Sequence, residues 1–75
     1  MIEVDEYSYA PLWETMKRKG ITQYNLIQDY HISTGTLDTL RKNKGISLHT
    51  VRELCKILQC PIKDIVEFPD LPYSK

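Results

Sequence analysis

"ITQYNLIQDYHISTGTLDTL", residues 21–40, holds two short apolar patterns separated by a three-residue interruption. In the first half Leu26, Ile27 and Tyr30 recur at three- and four-residue spacing; in the second, Leu37 and Leu40 stand three residues apart. Thr22 and Ser33 stand just ahead of the two patterns, and their hydroxyls suit them to accept from the unpaired N–H groups at a helix start. The spacing predicts helices over about 23–30 and 34–42, broken by "HIS" at 31–33. Neither half buries its face alone, so both must pack on the rest of the chain.

On a wheel of 100° per residue, Leu37 and Leu40 set the inner face of the second helix. Gly35, Asp38, Thr39 and Lys42 fall opposite, with Thr34 at the rim. That outer face is small, hydrogen-bonding or cationic and has no large apolar group. Two such helices joined by a three- to four-residue turn form a helix-turn-helix. The arrangement lets the second helix protrude far enough to enter a DNA major groove about 12 Å wide.

Outward from this pair the chain stays helical. Residues 11–19 follow Pro11, carry Leu12, Trp13 and Met16 on one face, and stop at Gly20. Lys17, Arg18 and Lys19 occupy the last turn, where cations complement the helix dipole; this local role accounts for them without a partner. Asn43-Lys44-Gly45 reads as a turn. Ser47 caps a helix over 48–58, in which Leu48, Val51, Leu54, Cys55 and Leu58 give the strongest amphipathic signal of the chain. Pro61 opens a short fifth helix expected over 62–67, in which Ile62 and Ile65 are core candidates. Ile2 and Val4 alternate with acids in residues 1–9, an extended arm or edge strand; residues 68–75 are a proline-interrupted tail. The expected organisation is therefore all-α: an arm (1–9), one five-helix unit with a central helix-turn-helix (10–67), and a tail (68–75).

Seventy-five residues bury only about 60–65% of their unfolded surface, which allows a small core and makes dimerisation helpful. Formal net charge is zero, but it is unevenly spread. Residues 1–16 contain four acids and no base, whereas 17–56 contain eight basic residues against Asp29, Asp38 and Glu53. A polarised surface with a positive side fits this distribution, and so does a plain mixed-charge surface. Cys55 lies on an apolar stripe and reads as a small hydrophobe; with Cys60 it fits a reducing compartment. His31 and His49 form no paired ligand spacing, so neither a metal nor a cofactor is expected. No nucleophile–base pair, glycine-rich phosphate loop or carboxylate pair points to an enzyme. No basic segment followed by an apolar run opens the sequence, and nowhere do 18 apolar residues stand together. The expectation is a cytoplasmic chain with no membrane partner and no small-molecule ligand.

From about residue 10 to residue 67 the sequence resembles, without a gap, the phage-repressor/Cro-type (XRE-like) helix-turn-helix domain of bacterial and phage regulators. The resemblance is carried by Thr22-Gln23, Leu26, Ile32-Ser33, Leu37 and Leu40, then by "SLHTVRELCKILQC" and "IKDIV". Two positions depart. Ile27 stands where that family carries a small residue, so the two helices are expected to sit slightly further apart or tilted. His31 stands where it carries a glycine in a left-handed turn, a region in which His is enriched among non-glycine residues.

The resemblance implies a lambda-repressor-like fold and DNA as partner. It implies that Gln23 approaches the sugar-phosphate backbone and braces Thr34. Thr34, Gly35, Asp38 and Thr39 would lie along base edges, and Lys42, Asn43 and Lys44 would meet phosphates. Arg41 flanks the reading face, within reach of a phosphate or a guanine. Asp38 has two open roles, accepting from a cytosine amino group or pairing with Lys42 one turn on. The function expected is a sequence-specific transcriptional regulator, a repressor, binding near-palindromic DNA as a homodimer. The alternative is an antitoxin-like or anti-repressor interaction module that keeps the fold with little DNA binding.

Overall fold

Hydroxyl caps set three of the helix starts in the computed structural model, which describes residues 7–69 and 71. Helix α1 spans Ala10–Lys19, α2 Gln23–Gln28, α3 Thr34–Arg41 and α4 Leu48–Leu58, followed by a 3-10 turn at Ile62–Asp64. Thr22 accepts from the Asn25 N–H, and the Asn25 side chain accepts from the Thr22 N–H, a reciprocal capping box. Ser33 accepts from the Thr36 N–H at 3.0 Å and Ser47 from the Thr50 N–H at 3.1 Å. Each such cap is worth about 1 kcal/mol.

The helix ends share a different device. Left-handed residues follow α1, α3 and α4: Gly20 (φ 71°), Asn43 (φ 57°) and Gln59 (φ 52°). The next N–H then turns back onto the helix, from Ile21 to the Met16 carbonyl, Lys44 to Thr39 and Cys60 to Cys55. His31 is also left-handed (φ 60°), as the turn between α2 and α3 requires.

These breaks fold the apolar faces onto one core. Tyr9, Leu12, Met16, Leu26, Leu37, Leu40, Leu54, Leu58 and Ile65 are buried together, so every helix contributes. α1 packs against α4 and the 3-10 turn. Thr15 is also buried, and its hydroxyl donates to the Asp64 carbonyl at 2.9 Å, tying α1 to that turn. Ser8 and Glu67 exchange both backbone hydrogen bonds, at 3.0 and 2.9 Å, so the two edges of the described chain meet. The alternation at Ile2 and Val4 and most of the tail, including Tyr73, lie outside the described residues.

The structure corrects several expectations. The fifth helix over 62–67 is only a 3-10 turn. The Thr15 hydroxyl occupies the Asp64 carbonyl, and the backbone of Glu67 is committed to Ser8, so the helical ladder does not continue. α2 stops at Gln28 rather than residue 30, leaving Asp29 and Tyr30 in the turn. Tyr30 (42% exposed), Leu48 (80%) and Ile62 (50%) lie outside the core in which the pattern placed them. Trp13 and Ile27 are half-buried and pack against the core from its margin. No helix among the described residues is long and apolar enough to cross a membrane.

Candidate nucleic-acid interface

α3 is anchored from within and bare outside. Leu37 and Leu40 are fully buried, while Thr34, Gly35 and Asp38 are exposed and Thr39 is half-buried. The wheel geometry of the sequence thus holds, and a Cβ at Gly35 would make only an ordinary van der Waals contact, 3.9 Å from the Ser33 hydroxyl oxygen. Thr39 donates its hydroxyl to the Gly35 carbonyl at 3.0 Å. With its proton so used, the side chain keeps oxygen lone pairs and a methyl group.

The charged residues at the end of α3 are arranged unequally. Lys42 Nζ lies 3.0 Å from Asp38 Oδ2, one helical turn away, with both side chains more than half exposed. Of the two roles open to Asp38, the free protein adopts the ion pair, worth roughly 0.2–1 kcal/mol at such a site. Arg41 points across to α2: its Nε (2.9 Å) and Nη2 (2.6 Å) both donate to Oε1 of Gln23. The brace expected from Gln23 to Thr34 is thus replaced by one to Arg41. A guanidinium fork outcompetes a threonine hydroxyl for an amide oxygen, because a charged donor makes the stronger hydrogen bond. Lys44 is exposed, and no ion pair of it occurs among the described residues.

Asn43 is half-buried, and its Oδ1 accepts from the Tyr9 N–H at 3.4 Å. The Tyr9 hydroxyl donates to the Lys44 carbonyl at 2.6 Å. Tyr9 therefore fixes the backbone from which Asn43 and Lys44 project, a role the sequence did not suggest. Burial, with Tyr7 nearby as a lesser cause, pushes its phenol above the ordinary range. Only the aromatic character of Tyr9 hinted at this, because its partners are 34 and 35 residues away.

An open cleft of about 320 Å³ lies between the α2–α3 turn and the start of α4, lined by His31, Ser33, Thr36, His49, Thr50 and Glu53 among others. Among the described residues no cluster of three His, Cys, Asp or Glu could hold a metal ion. Cys55 and Cys60 are both half-buried free thiols. Burial, then Cys55 and Asp64, raise the Cys60 pKa against the opposing pull of Lys19 and Arg18.

A short helix held by two leucines on a capped partner helix, its polar side outward, is a helix-turn-helix. The chain belongs to the Cro/C1-type HTH DNA-binding domain family, whose pattern matches residues 11–70. It is similar to the transcriptional regulator VanUg, whose crystal structure superposes with a TM-score of 0.76 at 29% identity over 83% of each chain. Comparison with curated protein sequences gives no match.

Proposed function

We propose that this chain is a sequence-specific DNA-binding transcriptional regulator, a repressor that acts as a homodimer on near-palindromic DNA. α3 enters the major groove of each half-site. The observation that carries this reading is the division of α3 into fully buried Leu37 and Leu40 and an outer face of Thr34, Gly35, Asp38 and Thr39. Thr34 donates to or accepts from a base edge, and Gly35 permits close approach. Thr39 presents its methyl group to thymine, while Asp38 remains available to a cytosine amino group if Lys42 releases it. Gln23, Arg41, Lys42, Asn43 and Lys44 line the flanks and meet phosphates. Similarity to a transcriptional regulator supports the regulatory role. Repression follows from occlusion of polymerase. For the dimer surface we favour the C-terminal side, where Ile62 and Phe68 are 50% and 37% exposed.

The zero net charge and the pairing of Lys42 with Asp38 favour a second reading, an antitoxin-like or anti-repressor interaction module. Fluorescence anisotropy separates the two, using duplex from around the chain's own promoter and random duplex across a salt series. A regulator prefers the promoter by at least about a thousandfold and weakens steeply with salt. Equal, feeble binding to both sinks the regulator in favour of the module.

A further inference from the structure

The end of α4 brings the two cysteines of the chain together. Gln59 is left-handed there (φ 52°, ψ 54°), and the N–H groups of Gln59 and Cys60 both turn back on the Cys55 carbonyl, Cys60 at 3.1 Å. In this kind of helix ending the accepting residue and the last donor commonly meet through their side chains. The end of α1 shows the same relation: there the pair is Met16 and Ile21, and both pack on the core. At α4 the two places are held by Cys55 and Cys60, half-buried free thiols against the margin of that core. A disulfide spans Cα atoms about 4.4–6.8 Å apart, and one backbone hydrogen bond between two residues sets a separation of that order. Burial, then the nearby Cys55 and Asp64, raises the Cys60 pKa against the pull of Lys19 and Arg18, so the two thiols lie within electrostatic reach of each other. A thiol that ionises reluctantly exchanges slowly, but the neutral disulfide it forms suits the same half-buried place.

We infer that Cys55 and Cys60 are a reversible dithiol site, closed within one chain by a low-molecular-weight disulfide, oxidised glutathione, into a bond that clasps the last turn of α4. One cysteine thiolate attacks the S–S bond of the oxidant, forming a mixed disulfide and expelling one small thiolate. The second cysteine thiolate then attacks the protein sulfur of that mixed disulfide, closing the Cys55–Cys60 bond and expelling the other. Two cysteine thiols lose two electrons, one small disulfide is reduced to two thiols, and the two cysteine protons end on those thiols. The fold assists because the helix ending already holds the pair in place. In the unfolded chain the six residues from Cys55 to Cys60 must first close on themselves. By the same linkage the oxidised chain is the more stable one.

The test equilibrates the whole chain with mixtures of reduced and oxidised glutathione at neutral pH, once without denaturant and once in concentrated urea. Acid quenches each sample, and the intact mass is read. The folded chain should lose two hydrogens while remaining a monomer. It should be half oxidised at a glutathione ratio at least about tenfold more reducing than the chain in urea requires. Lys56 lies between the two cysteines, so trypsin without reductant should release residues 53–56 and 57–63 as one joined pair, which separates on reduction. Cys55→Ser and Cys60→Ser should each carry a single glutathione instead. A folded chain no easier to oxidise than the chain in urea overturns the inference, since the two thiols would then be only an apolar pair. So does a disulfide-linked dimer, or glutathione on both cysteines without the internal bond. The comparison of folded and urea-treated chain decides even where neither serine variant folds.

Discussion

Tyr9 shows how a single residue outside the helix-turn-helix governs part of its geometry. Its ring fills the core, its N–H meets the Asn43 side chain and its hydroxyl holds the Lys44 carbonyl. The phenol must stay protonated to donate, and burial raises its pKa above the ordinary value near 10. The folded state therefore binds this proton more tightly than the unfolded chain does. Its stabilising share is complete below the unfolded pKa and is lost as pH rises through the folded one. Thermal melts should show a loss of stability that begins above about pH 10, and Tyr9→Phe should lack that component while losing roughly 1 kcal/mol at neutral pH. A Tyr9→Phe melt that matches the unaltered protein from pH 7 to 11 would show that the hydrogen bond contributes nothing. The sequence concealed this role because nothing local to residues 7–10 marks a partner 35 residues away.

At the scale of elements, α4 has its expected bounds of 48–58, and α3, expected over 34–42, runs Thr34–Arg41. Its boundaries follow from Ser33 as cap and from the left-handed Asn43, and its faces follow from Leu37 and Leu40. The Asp38–Lys42 pair was likewise readable from four-residue spacing. The Gln23–Arg41 bond was not, because it depends on how α2 crosses α3, which no spacing rule specifies. The 3-10 turn misled for a similar reason: "PIKDIVEF" has helical periodicity, but tertiary hydrogen bonds from Thr15 and Ser8 take its backbone groups. The proposed division of α3 into a reading face and a phosphate-facing end predicts two distinct phenotypes. Thr39→Ala removes a methyl group and a hydroxyl from the proposed reading face and should change which duplexes are preferred in a selection from a randomised library. Lys44→Ala should weaken all duplexes by a similar factor and lower the salt slope by about one. An unchanged preference profile for Thr39→Ala would move the reading face off this side of α3.

The chain is small, so a single copy offers, as the proposed reading helix, only the eight residues of α3. Such a unit covers too few base edges to select one site among a genome's worth of competitors, since each well-made contact contributes only about 1–3 kcal/mol of discrimination. Two copies related by a two-fold axis double the readout and turn the second docking into an intramolecular event. The geometric consequence is strict: the two α3 helices must face the same side of the duplex, with half-site centres about 34 Å apart, one helical turn. Inserting about five base pairs between half-sites rotates one of them to the far side, whereas about ten restores the facing while lengthening the gap. For the proposed homodimer, the five-pair insertion should reduce affinity to that of a single half-site. The ten-pair insertion should recover it only if the dimer surface yields across one further turn. Gel-shift titrations with the three spacings measure this directly. Affinity indifferent to spacing would mean that each copy binds alone, and specificity would then have to come from outside this chain.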